Sequence, residues 1–322
     1  MAIADRALQA IDSFRQQGGV IHGDSIDWQR YMKPDDHARI VAAETLAAKA
    51  KERLMIGAAQ EHGLTLPWSK THGKVLIRPG KVAVWAGWTH HGKTQMVKQV
   101  MLHGISDSEK VLIASMEEEV ADVYCDMAVM ACGEQQPKSE DLDRFNEFVA
   151  GQLWLYDQQG QIDPMRMNAV IRYAAAELKI TQVVVDSLMM LQMQRDDYDA
   201  QARFVAQLHA TAKDTGVTVH LVAHMRKRDG KGGDETPGTI HDIAGGHEIA
   251  SMVDYVFLPW RDKRTKDKRP AESRYDCQLK VDKQRGRVNW LGIVDLNFHQ
   301  GSRQFVEDVQ PMRFWSEPGV PF

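Results

Sequence analysis

The run Gly87-Trp88-Thr89-His90-His91-Gly92-Lys93-Thr94 places two glycines, a lysine and a threonine at the spacing G-x-x-x-x-G-K-[ST]. A turn of that kind gathers backbone N–H groups around one point, and a helix starting there adds the positive end of its dipole. The chemistry this supports is polyphosphate binding. Lys93 would reach the β- and γ-phosphates, and the Thr94 hydroxyl would hold Mg2+. All of 87–94 is thus an expected nucleotide-binding loop, with ATP or another nucleoside triphosphate and Mg2+ as its expected ligands.

Other polar groups stand at the ends of apolar runs. Asp186 closes Val183-Val184-Val185, where a carboxylate beside a phosphate loop would hold Mg2+ through a water. Glu117 follows the run Val111 to Ala114 and could orient and deprotonate the water that attacks the γ-phosphate. Its neighbours Glu118 and Glu119 suit the start of a helix. His224 closes Val219 to Ala223 and is the candidate γ-phosphate sensor, because ligands sit at the carboxyl ends of parallel strands. Lys283-Gln284-Arg285, by its spacing alone, reads as a basic turn.

Positioning these groups takes alternating strands and helices. Val82–Trp85, Val111–Ala114, Leu153–Tyr156, Thr181–Asp186 and Val217–Ala223 read as strands, the β-branched ones buried on both faces of a parallel sheet. Lys74–Ile77 reads as one more, paired with Lys81–Trp85 across a Pro79-Gly80 turn. Val253–Leu258, Tyr275–Val281 and Leu291–Asn297 read as antiparallel strands that close the sheet. Helices are expected after the phosphate loop, from Val120 to about Cys132, from Leu142 to Val149, from Pro164 to about Leu178 and from Asp199 to Asp214. The pattern predicts a three-layer α/β domain over residues 64–322. Residues 1–63 read as a small helical N-terminal or linker region. In its Pro34–Glu61 helix, Ile40, Ala43, Ala47, Ala50 and Leu54 form a narrow stripe suited to the protein's own core or to a neighbouring subunit.

Composition sets the bounds. With 322 residues, 43% hydrophobic and 26% charged, the chain has ample material for a core. A formal net charge of −4 excludes global basicity, so any nucleic-acid contact must come from local patches. Cys125, Cys132 and Cys277 lack disulfide-framework or metal-ligand spacing. No apolar run reaches membrane-spanning length, and Asp5 and Arg6 break the N-terminus as a signal peptide. A cytoplasmic protein without a membrane partner is expected.

Taken in order, Gly87–Thr94, Ser115-Met116-Glu117, Val183–Asp186, Ala223-His224, Asp242-Ile243-Ala244-Gly245-Gly246-His247 and Lys283-Gln284-Arg285 resemble the RecA-like motor of DnaB-type hexameric replicative helicases. The chain is most similar to the phage primase-helicase and Twinkle branch, helicase portion only, over about residues 64–310. The resemblance implies a RecA-like P-loop NTPase three-layer sandwich with a mostly parallel sheet. It further implies a homo-oligomeric ring of six subunits that unwinds DNA 5′ to 3′, in a bacterial or phage-infected cytoplasm. ATP would lie between subunits, with Lys283 and Arg285 acting on the neighbour's γ-phosphate and Arg261 and Phe298 sandwiching the adenine. Single-stranded DNA at a replication fork is the implied partner, with a separate primase, polymerase or loader beside it. The candidate DNA contacts are Arg226, Lys227, Arg228 and Lys231, with Gly246 and His247. Contact to phosphates, indifferent to sequence, is expected, since these loops lack aromatics. Arg261–Arg269 is a second basic run, either a DNA contact or a solvated hairpin tip, and the loop through Arg195 and Tyr198 is a further candidate. The chain departs from the family in carrying Thr89-His90-His91 within the phosphate loop and Ala244 where relatives have arginine. A RecA-like recombination or repair ATPase and a regulatory ATPase that does not move on DNA are the competing readings.

Overall fold

A computed structural model of the chain describes residues 12–14, 18–21, 26–32, 43–55, 61–193, 197–226, 235–244, 246–264, 274–286 and 288–315. Its strands are β1 (Val20–Ile21), β2 (Val82–Gly87), β3 (Val111–Ser115), β4 (Leu153–Tyr156), β5 (Gln182–Asp186), β6 (Thr218–His224), β7 (Tyr255–Arg261), β8 (Cys277–Gln284), β9 (Gly292–His299) and β10 (Gln304–Val306). The helices used below are α1 (Ala47–Met55), α2 (Lys93–Ser106), α3 (Val120–Cys132), α4 (Ser139–Val149), α5 (Pro164–Tyr173), α6 (Tyr198–Thr215) and α7 (Gly246–Met252). The strands form one sheet in the order β1-β4-β3-β5-β6-β2-β7-β8-β9-β10. From β1 to β7 neighbours are parallel, and from β7 to β10 they are antiparallel.

The unbroken apolar runs serve two cores at once. Successive side chains of a strand point to opposite faces, so Ala83 and Trp85 pack with Met96, Val97 and Val100 of α2. Val82, Val84 and Ala86 pack instead with the cluster containing Val170 of α5, Phe204 and Leu208 of α6 and Ile249 of α7. Helices therefore cover both faces, and the expected three-layer sandwich is the one observed. A buried histidine between the strands is held on both ring nitrogens. His220, wholly buried, accepts from the Trp85 indole at 3.2 Å and meets Gln182 Oε1 at 3.0 Å. Burial pushes its pKa down to about 3, which keeps the ring neutral.

Two strand expectations need correction. β7 is not antiparallel to the nucleotide-loop strand: Ala83 pairs with Tyr255 and Trp85 with Phe257 in parallel register. The seven-residue α7 carries the chain back across the sheet, which makes the next strand parallel. Lys74–Ile77 forms no sheet strand; only Ile77 makes an antiparallel bridge, to Leu64. Those residues belong to a strap whose Leu66, Trp68, Val75 and Ile77 are buried in the core, with the Trp68 indole donating to Phe305 O at 2.8 Å. Part of the 1–63 region also enters the sheet, since β1 lies beside β4, and Phe14 and Trp28 are buried. Much of the expected 34–61 helix lies outside the described residues. In α1, Leu54 and Met55 are three-quarters exposed. Among the described residues no helix is long and apolar enough to cross a membrane.

Candidate active site

β2 delivers the phosphate loop at its carboxyl end, and α2 starts at Lys93. The flanking glycines are required by close approach. A Cβ at Gly87 would come within 2.8 Å of Pro259 O, and one at Gly92 (φ +81°) within 2.5 Å of the Phe305 ring. Inside the loop, Trp88 is buried and its indole donates to Thr236 O at 3.1 Å. His91, also buried, accepts the Arg261 backbone N–H at 3.1 Å. The histidine that departs from the family pattern thus ties the loop to the end of β7. Thr89 and His90 are exposed, and His90 has a left-handed φ of 64°.

The strand-end acids converge on this loop. Ser115 pairs with Asp186 across β3 and β5, and Gly87 pairs with His224 across β2 and β6. The Thr94 hydroxyl donates to Asp186 Oδ2 at 2.6 Å. Asp186 is buried, and burial raises its pKa to about 6 against the lowering effect of the Thr94 hydrogen bond. Glu117 Oε1 accepts from Ser187 Oγ at 2.5 Å and lies 3.7 Å from His224 Nε2. Its pKa falls to about 2, chiefly through His224 and, beyond an opposing burial effect, through Ser187. Lys93 is buried, with its ammonium on Trp88 O at 3.0 Å. Desolvation pushes its pKa down to about 8, while Asp186 and Glu117 act to raise it.

The other expected residues fall into three groups. Arg261 and Phe298 meet at the far ends of β7 and β9, the guanidinium carbon 4.0 Å from the ring centroid. They stack on each other, so a base between them would require the pair to part. Lys283 and Arg285 lie elsewhere: Lys283 Nζ donates to Ala250 O at 2.6 Å and Arg285 Nη2 to Ser251 O at 2.8 Å. Arg226 leaves β6 beside the phosphate loop, with its guanidinium 4.3 Å from the Tyr198 ring centroid. Lys227, Arg228 and Lys231 lie outside the described residues, as do Arg195 and residues 265–269. Gly246 and His247 open α7.

Sequence reasoning missed several contacts. Ser187 had only its place after Asp186 to mark it. Lys98, on the buried side of α2, donates to Glu118 at 2.6 Å and to Asp126 at 3.2 Å, and Arg303 pairs with the same Asp126. Of the three consecutive acids, Glu117 is thus the one facing His224, while Glu118 is bound to a buried lysine.

The donor set suits a shared Mg2+. Among the described residues there is no cluster of three or more His, Cys, Asp or Glu able to cage a metal. Two adjacent oxygens, Thr94 Oγ1 and Asp186 Oδ2, match instead the one or two protein ligands that Mg2+ takes alongside phosphates and water. Bound there, the ion would neutralise charge on the transferring phosphoryl group. Glu117 is ionised at neutral pH, and with Ser187 and His224 on its Oε1 it is better suited to orient a water by hydrogen bonding than to hold that water's proton.

Comparisons with known proteins bear on the fold that carries this site. A solved structure described as an ATPase domain has a TM-score of 0.70 at 15% identity, over 83% of this chain and 99% of that one. The structure of a DnaB-like replicative helicase and its interactions with primase gives 0.68 at 16% identity, over 94% of this chain and 75% of that one. At such identities the likeness is one of fold, the RecA-like P-loop sandwich expected from the sequence. No curated protein matches the chain in sequence. The family model "ATPase: KaiC" matches residues 76–250, more than half of the 322 residues, and the chain belongs to that KaiC ATPase family.

Proposed function

We propose that the protein is an ATP-dependent replicative DNA helicase, a ring of six subunits that moves along single-stranded DNA and unwinds duplex 5′ to 3′. The observation that carries this reading is the separation of its cations. Lys283 and Arg285 flank Gln284, which pairs with Tyr255 at the start of β7, whereas the phosphate loop leaves level with Pro259 near its end. Along a strand that is roughly 13 Å, farther than a side chain comfortably spans. A guanidinium so placed serves a triphosphate only on another subunit, where such a group contributes about 10³–10⁵ in rate.

Two further features support a ring on DNA. The outward Leu54 and Met55 of α1 suit burial against a neighbouring subunit. The Arg226–Tyr198 pair combines a cation with a ring at the exit of β6, the kind of platform on which single strands stack. Lys227, Arg228, Lys231, Gly246 and His247 would extend that contact. ATP with Mg2+ is the proposed fuel, the cytoplasm the proposed setting, and a separate primase, polymerase or loader the proposed company.

The test is ATP hydrolysis against single-stranded DNA over a salt series. Stimulation that falls steeply with salt is expected, because phosphate contacts release counterions. Hydrolysis indifferent to DNA at every salt would instead favour a KaiC-type ATPase that does not translocate, the second reading that the family match supports.

A further inference from the structure

We infer that Lys263 is a second phosphate-binding cation of the same subunit, so that the start of the basic run 261–269 serves nucleotide and not DNA. The inference rests on the nucleotide reading of the phosphate loop. β7 ends at Arg261 beside that loop, and the turn after it is braced from within. Asp262 is buried, and its carboxylate receives Arg264 Nε at 2.8 Å and Nη2 at 2.6 Å, while its N–H donates to Asp276 O at 2.7 Å. Lys263 stands between these two residues, exposed, with Nζ on Thr89 O at 3.0 Å.

Lys93 makes the same contact one residue earlier, with Nζ on Trp88 O at 3.0 Å. Consecutive carbonyls of the phosphate loop thus carry two ammonium groups, one from each end of the site. Lys263 is close enough to count among the charges that lower the Lys93 pKa. A neutral carbonyl is a weaker acceptor than a phosphate oxygen, and hydrogen bonds between ionised partners are roughly twice as strong as neutral ones. A polyphosphate entering the loop offers both ammoniums that better acceptor and removes the repulsion between them. Lys263 therefore shifts from Thr89 to the phosphates, and the Asp262–Arg264 brace keeps its backbone in place while it does so.

The experiment measures calorimetric affinities for inorganic tripolyphosphate, ATP and a single-stranded oligonucleotide in the presence of Mg2+. The proteins are the full chain and its Lys263→Met, Lys263→Arg and Lys93→Ala variants. Lys263→Met should weaken tripolyphosphate and ATP about tenfold, the usual size of one charged hydrogen bond. Lys263→Arg should recover most of the loss, because the charge and its reach are kept. Unchanged tripolyphosphate affinity in Lys263→Met overturns the inference, most directly if oligonucleotide affinity falls in its place. Lys263→Arg binding as weakly as Lys263→Met would also overturn it, since the stem and not the charge would then matter. The control separates the two levels: if Lys93→Ala loses nothing either, the phosphate-loop reading fails and the inference with it. If Lys93→Ala alone loses affinity, only the role of Lys263 fails.

Discussion

The two ends of the parallel strands are built in opposite ways. At the carboxyl end, Gly87, Glu117, Asp186 and His224 stand at or just past the ends of four neighbouring strands, in one contact network: Thr94 is on Asp186, Ser187 on Glu117, His224 3.7 Å from Glu117, and Lys93 on its own loop. At the amino end, buried Asp254 gathers Lys81 at 3.0 Å, His209 at 3.1 Å and the Val82 N–H. Its own carbonyl accepts the Arg285 N–H at 2.9 Å. There the ionic groups brace backbone, and Lys283 and Arg285 rest on the last carbonyls of α7, where a helix dipole welcomes cations. On the proposed reading, one edge would hold a hydrolytic half-site and the other the cations offered to a neighbouring subunit. A reaction needing both must join two copies.

Substitution at either edge tests that division. Lys93→Ala should take ATP hydrolysis to background, because the ammonium neutralises charge that nothing else buried in the loop can meet. Steady-state phosphate release measures it, and a fully active variant would remove the loop from the chemistry. Arg285→Ala should lower turnover about 10³-fold while ATP still binds. Mixing the two inactive variants then becomes the sharper assay. A ring containing both places an intact Arg285 against an intact phosphate loop at some interfaces, so activity should partly return. Mixtures as inactive as their components would leave Arg285 with only its structural contacts to Ser251.

How far this division could be read in advance follows from burial. The parallel strands have both faces covered, so each reads as an apolar run, and the first ionisable residue after it stands out. Asp186, Glu117 and His224 were found that way. The amino-end hub was hidden, because Asp254 and His209 look like surface groups of a loop and a helix until the sheet brings them together. Lys98 was hidden for the same reason: a lysine in an amphipathic helix reads as solvated, and only the tertiary fold seals it against Glu118 and Asp126. β1 is two residues long and carries no periodicity. The direction of β7 was misjudged because α7 is shorter than the span over which a helical repeat can be recognised.

The smallest effect contrasts the edges by stability. Asp186 is 4% exposed, and burial lifts its pKa to about 6 from an unfolded value near 3.8. A carboxyl whose pKa is raised on folding favours the folded state most below its unfolded value and loses that contribution as pH rises through the folded one. A gap of about two units amounts to about 3 kcal/mol at most. Asp186→Asn should therefore stabilise the nucleotide-free, Mg2+-free protein above pH 6 by up to that amount, with Oδ1 of the amide still able to accept from Thr94. The gain should shrink between pH 6 and 4 and vanish below, as thermal melts across pH would record. Adding Mg2+ and a non-hydrolysable ATP analogue should reverse the order, since the charge that destabilises the empty site is the one these ligands need. An Asp254→Asn change should behave oppositely, losing stability at neutral pH, because that carboxylate already has its cations. If both variants moved melting temperature in the same direction at pH 7, the distinction between a waiting edge and a completed one would not hold.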